Sequence, residues 1–138
     1  MASLDPEGDG TEHPEQVARV TDGDPATTWN TDRYRGRDFG GLKSGVGLVF
    51  DLGEPQAVAA VTLEGASPAT RFELRAGDSK DDLVTVASGD AGSGEVELTP
   101  AAPVQARYLV LWLRDVGPVE GGGFRGSVGE VRIRGYAA

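Results

Sequence analysis

The sequence predicts an all-β domain, a jelly-roll β-sandwich of about eight antiparallel strands. Three observations carry this expectation. Apolar residues recur with a period of two, not 3.6, through most of the chain after residue 45. Segments built from turn formers, "GEPQ", "GASPA", "GDSKDD", "GDAGSG" and "TPAAP", interrupt that pattern at short intervals. The chain has 138 residues and no cysteine, so one domain must close its core by packing alone.

Residues 1–13 read as a polar leader and linker arm, and residues 14–138 as the domain proper. The opening "MAS" has the look of an added leader, so the expectation is a fragment of a larger protein. "HPEQVARV" suits a short helix, with Pro14 at its first position and Glu15 near the positive end of its dipole. The turn "TDGDP" at 21–25 limits that helix. Strands follow at "VGLVFDLG" (46–53), "AVAAVTLEG" (57–65), "TRFELRAG" (70–77), "LVTVASG" (83–89), "GEVELTP" (94–100), "ARYLVLWLRD" (106–115) and "GEVRIRGY" (129–136). In "ARYLVLWLR", Tyr108, Val110 and Trp112 share one face while Leu109, Leu111 and Leu113 share the other. Both faces are apolar, which predicts a central strand covered on both sides. In the last strand Val131 and Ile133 alternate with Arg132 and Arg134, so one face points in and one out.

Charge and composition exclude several function classes. The chain carries 22 acidic and 13 basic residues, a net charge of −9. Eight of the acids and only Arg19 among the bases fall in residues 1–32, so the rest of the chain is nearly balanced. There is no basic stripe of the kind nucleic acid requires. Without cysteine there is no thiolate metal site and no thiol chemistry. The single histidine, His13, lies in the arm, which argues against histidine-based triads and histidine-rich metal sites. "GVG" at 45–47 has no following helix to form a nucleotide cradle, and no acid stands in a patterned active-site motif. The expectation is a protein that is not an enzyme.

The turn "TDGDPATTWN" (21–30) admits two readings. Calcium takes six to eight hard oxygens, and Asp22, Asp24 and Thr27 offer oxygens at a spacing that wraps an ion, with Gly23 and Pro25 fixing the bend. Equally, "DGDP" is a good turn with no ion in it. It is not an EF-hand, because the twelfth position counted from Asp22 is Arg33 and not a glutamate.

Two long stretches break the strand rhythm, "DRYRGRDFGGLKSG" (32–45) and "DVGPVEGGGFRGS" (115–127). Arginine forks onto hydroxyls, carboxylates and phosphates, and aromatic faces stack on sugars. Arg33, Tyr34, Arg37 and Phe39 supply that mixture on the first loop, and Phe124 with Arg125 on the second. These six are the candidate ligand-binding residues. The competing reading tucks Tyr34, Phe39 and Leu42 under the sandwich as a plug, with the arginines paired to Asp32, Asp38 or nearby acids.

The order "VTDGDPATTWNT", "VGLVFDLGEPQAVAAVTLE", "FELRAGDSKDDLVTVASG", "ARYLVLWLRDVG" and "GEVRIRG" resembles the factor 5/8 type C, or discoidin-like, domain. That group belongs to the galactose-binding-like jelly rolls, which include family 32 carbohydrate-binding modules. The resemblance spans residues 16–136. It implies ligand-holding loops at one end and a structural Ca2+ near the first loop. Carried over by position, the ligands it implies are the Arg19 carbonyl, Asp22, Asp24, Thr27 and Glu130, with the carbonyl of Gly129 beside them. It also implies that Trp29 packs in the core.

A narrower resemblance rests on "DPEGDGTEHPEQVARVTDGDPATTWNTDRYRGRDFGGLKSGVGLVFDLGEP". This stretch is similar to the extracytoplasmic C-terminal domain of actinobacterial MviN-type lipid II flippase fusions with a kinase-like part. It implies an extracytoplasmic binding or sensor module of a membrane-anchored parent. The partner expected is a cell-wall glycan, such as peptidoglycan, or an anionic precursor of it. The alternative is a protein–protein module within such a kinase-like or flippase assembly. Neither nucleic acid nor insertion of this segment into the membrane is expected.

Overall fold

The computed structural model describes residues 2–4, 14–21, 27–31, 34, 36, 45–66, 70–79, 82–90, 95–100, 102, 104–118 and 122–136. It is a β-sandwich with eleven named strands among the described residues, several of them very short. They are β1 (Ala2–Leu4), β2 (Trp29–Asn30), β3 (Val46–Glu64), β4 (Arg71–Ser79), β5 (Asp82–Asp90), β6 (Val96–Leu98), β7 (Val104–Asp115), β8 (Gly117–Pro118), β9 (Phe124–Arg125), β10 (Ser127–Val128) and β11 (Glu130–Tyr136). The expected short helix is a 3-10 helix over Pro14–Thr21.

The segments expected at 46–53 and 57–65 form one bent strand, β3. Its first half pairs with β1 and with residues 108–113 of β7, and its second half pairs with residues 104–106 of β7, with β6 and with β11. The register with β7 shifts between Asp51 and Gln56. Gly53 sits at that bend with φ of +86°, a left-handed conformation that favours glycine. The Asp51 carboxylate accepts the Gly53 N–H at 2.8 Å, so the bend is a bulge held by its own side chain. "GEPQ" therefore bends the strand and does not reverse it. Ala2–Leu4, within the sequence reading's arm, pairs antiparallel with Val49–Gly47.

β7 is central, flanked by β3 and β4, and is apolar on both faces as its sequence demands. Leu109, Leu111 and Leu113 enter the main core with Leu48, Phe50, Leu63, Phe72, Leu74 and Leu98. On the opposite face Val110 and Trp112 form a second buried cluster with Val49. The Arg75 guanidinium lies 4.6 Å from the Trp112 ring centroid, a cation–π contact that covers this outer cluster. In β4, Phe72, Leu74 and Ala76 are buried while Glu73 and Arg75 alternate with them on the outer face. In β11 Val131 is buried and Ile133 packs on the core, whereas Arg132 and Arg134 pair outside with Glu64 and Glu97.

Candidate ligand-binding end

The 3-10 helix, β2 and the segment 124–130 meet at one end of the sandwich. Trp29 is fully buried (0 % exposed) and anchors β2 in the main core, as expected of it. The next residue, Asn30, is the only asparagine in the chain and ties three segments together. Its backbone N–H and its Nδ2 both donate to Gln16 Oε1, at 3.0 and 3.1 Å. Its Oδ1 accepts from the Thr28 hydroxyl at 3.2 Å and from the Ser127 hydroxyl. Arg19 donates from Nη1 to the Thr28 carbonyl at 3.2 Å, fixing the helix end to the same turn.

Beyond Asn30 the chain stays zipped to the last glycine-rich stretch. Thr31 N–H donates to the Gly126 carbonyl at 2.9 Å, and Gly126 N–H donates to Thr31 Oγ1 at 3.1 Å. Tyr34 and Phe124 then form an antiparallel bridge. On its other side, Phe124–Arg125 pairs with Gly117–Pro118. The two loops singled out in the sequence are thus brought together by backbone hydrogen bonds.

Of the six candidate ligand-binding residues, Arg33, Arg37 and Phe39 lie outside the described residues. Tyr34 is 9 % exposed and belongs to the main core, and Phe124 is half-buried against that core. Both rings pack inward, as the plug reading has it for Tyr34. Arg125 differs from them. It is half-buried, and among the described residues no ion pair or side-chain hydrogen bond reaches it. Its Nε is buried and has no hydrogen-bond partner.

Of the residues carried over for a cation, Asp22 and Asp24 lie outside the described residues. Arg19 lies in the last turn of the 3-10 helix, and Thr27 is half-buried two residues before Trp29. Glu130 opens β11 opposite Glu64 and is 7 % exposed, with Gly129 N–H bonded to the Glu64 carbonyl at 3.0 Å. A buried carboxylate, a half-buried hydroxyl and a carbonyl of the last helical turn are hard oxygen donors of the kind calcium takes. Among the described residues, no group of three or more His, Cys, Asp or Glu forms a metal cluster.

Sequence reasoning passed over Gln16, Asn30 and Thr31. The signal was slight: a lone asparagine following a tryptophan, whose partners lie 14 and 97 residues away.

No known family profile matches the sequence. Solved structures do match. One is a family 32 carbohydrate-binding module, CpGH89CBM32-6, from Clostridium perfringens. It aligns with a TM-score of 0.69 at 12 % identity, covering 91 % of this chain and 90 % of that one. The chain has the fold of these modules. The family 32 module of AlyQ, solved with 4,5-unsaturated mannuronic acid, aligns with a TM-score of 0.67 at 19 % identity, covering 90 % and 89 %. Chitosan-binding module 1 of a chitosanase/glucanase from Paenibacillus sp. IK-5 aligns at 0.64 and 20 % identity, covering 97 % and 92 %. The β-sandwich expected from the strand pattern, in the galactose-binding-like form that the resemblance implied, is therefore the fold observed.

Proposed function

We propose that the chain is a non-catalytic carbohydrate-binding module whose ligand meets it at the Arg125 end. The observation that carries this reading is Arg125: a permanently charged guanidinium, half-buried on a short paired strand, with no counter-ion among the described residues. A buried donor left unbonded costs about 1–3 kcal/mol, which a ligand that orders this end offsets. Fork-shaped donors match carboxylates and vicinal hydroxyls, so an acidic sugar suits the position best. The shared fold supports the same class, since solved modules of this shape hold 4,5-unsaturated mannuronic acid in one case and chitotriose in another.

The finer setting rests on the narrower resemblance. In it the module faces cell-wall glycan or an anionic precursor, outside the membrane, as part of a membrane-anchored parent. No helix among the described residues is long and apolar enough to cross a membrane. We also propose that Glu130 and Thr27, with the Arg19 carbonyl, Asp22 and Asp24, hold a structural Ca2+. When bound, that ion would cross-link the first turn to β11.

Calorimetric titration with muropeptides, together with sedimentation on purified peptidoglycan, tests the binding reading. The wild-type chain should bind, and Arg125→Ala should weaken binding about tenfold or more, the loss expected for one charged hydrogen bond. Arg125→Lys should recover only part of it, because a point charge cannot fork. Failure of the wild type to bind, or equal binding by Arg125→Ala, rejects the proposal.

A further inference from the structure

We propose that an open cleft on the outer face of β4, β5 and β7 is a second saccharide-binding surface, one that takes a neutral sugar. The cleft has a volume of about 470 Å³ and is lined by Arg71, Glu73, Thr85, Ser88, Asp90 and Arg114 among others. That lies within the range of small-molecule sites, about 300–1,000 Å³. Strand register puts its polar groups on one face. Arg71 is opposite Asp90 and Glu73 opposite Ser88 across β4–β5, while Arg71 is opposite Asp115 across β4–β7.

Glu73 organises the cleft. Its carboxylate accepts from Arg75 Nη2 and from the Thr85 hydroxyl, both at 3.2 Å, and pairs with Arg114 Nε at 3.5 Å. Arg71 is held the same way, its Nε 3.4 Å from Asp90 and its Nη1 3.8 Å from Asp115. Arg114 is held through Nε and Arg71 through Nε and Nη1, and the side chains of Arg71 and Arg114 remain 61 % and 63 % exposed. Donor edges are left over, and they are pre-oriented.

The charge balance decides the ligand class. Arg71, Arg75 and Arg114 offset Glu73, Asp90 and Asp115, so the patch is neutral within a chain of charge −9. A net-charged ligand gains no attraction from such a patch. A sugar hydroxyl both donates and accepts, so neighbouring hydroxyls can donate to the carboxylates and accept from the guanidiniums. Phe72 is buried beneath the cleft and offers no ring for stacking, so affinity comes from hydrogen bonds and is weak.

The site does not depend on the Arg125 end, and the test separates the two. Amide shifts of Ser88, Gly89, Asp90 and Arg114 are followed by NMR during titration with triacetylchitotriose, lactose and maltotriose. At least one sugar should move these amides saturably. The double variant Arg71→Ala/Arg114→Ala should weaken that response about tenfold or more, while Arg125→Ala leaves it unchanged. Exposed pairs of this kind contribute little to stability, so the double variant should keep the fold. The proposal is overturned if none of the sugars moves these amides. It is equally overturned if the response survives in the double variant, or if Arg125→Ala abolishes it.

Discussion

Tyr34 and Phe124 face each other across an antiparallel bridge and exchange both backbone hydrogen bonds. The distances are 2.7 Å from Tyr34 N to Phe124 O and 2.8 Å from Phe124 N to Tyr34 O. This closes two loops into one unit and leaves Arg125, next in the chain, at a fixed position. The rings support the unit by packing inward.

The first prediction concerns that bridge. Replacing a buried aromatic ring by a methyl group costs about 3–5 kcal/mol when the site cannot collapse. Tyr34→Ala should therefore lose about 3 kcal/mol and half-buried Phe124→Ala about 2 kcal/mol, read as shifts in the urea midpoint at constant slope. Directly opposed side chains interact, so the double variant should depart from additivity by at least about 0.5 kcal/mol. Strict additivity would show that the rings pack independently.

Gly126 gives a sharper steric test. A Cβ there would lie 2.6 Å from Leu113 Cδ2 and 3.0 Å from Val116 Cγ1, inside the main core. Gly126→Ala should destabilise by about 1–3 kcal/mol through overpacking, and Gly126→Val by more. Leu113→Ala should cost less in the Gly126→Ala background than in the wild type, because the new methyl fills part of the space it opens. Equal melting temperatures for wild type and Gly126→Ala would refute the crowding.

What the sequence disclosed followed from local periodicity. The alternation in "ARYLVLWLR" located Leu111 and Trp112 on opposite buried faces, because strand geometry leaves no other choice. The continuity of β3 was hidden because Gly53 and Pro55 look like a reversal, and only the Asp51 cap and the pairing of both halves with β7 keep the strand running. Tyr34 was ambiguous for a related reason: an aromatic in a long polar loop has no periodicity to assign its face. The sheet-face cleft was illegible because Glu73 and Arg114 look like ordinary outward charges. Only strand register gathers them.

Asp51 and Arg107 should respond unequally to substitution. Asp51 caps Gly53 and also pairs with Arg107, at 3.0 Å to Nε and 3.2 Å to Nη2. The hydrogen bond Arg107 donates to Asp51, then the Asp51 charge, raises the Arg107 pKa above its ordinary value. A cation raised in this way contributes its stabilisation below its unfolded pKa and loses it only as pH climbs through the folded one. Both lie above the usual working range, so Arg107→Ala should cost a small, salt-sensitive amount that is constant from about pH 6 to 9. Asp51→Ala should cost more, since the Gly53 N–H also loses its acceptor. Equal melting temperatures for the two variants would show that the cap contributes nothing.

The proposed calcium makes the final prediction, and Glu130 is where it can be tested without a ligand assay. A carboxylate buried at the start of β11 is costly to hold charged unless oppositely charged or hydrogen-bonding groups compensate it. If a cation supplies that compensation, calcium binds the folded chain and not the unfolded one. Stability then rises as RT ln(1 + [L]/Kd), about 2.7 kcal/mol at a hundredfold excess over Kd. Thermal melting in EDTA and in calcium should therefore differ by several degrees. Glu130→Gln keeps the shape but removes the charge, so it should flatten the calcium response while changing the EDTA melting temperature much less. Asp22→Asn and Asp24→Asn should weaken the response in the same direction, whereas magnesium, which resists dehydration, should replace calcium poorly. A melting curve indifferent to both EDTA and calcium would leave "TDGDP" as a turn and Glu130 as a carboxylate held by protein groups alone.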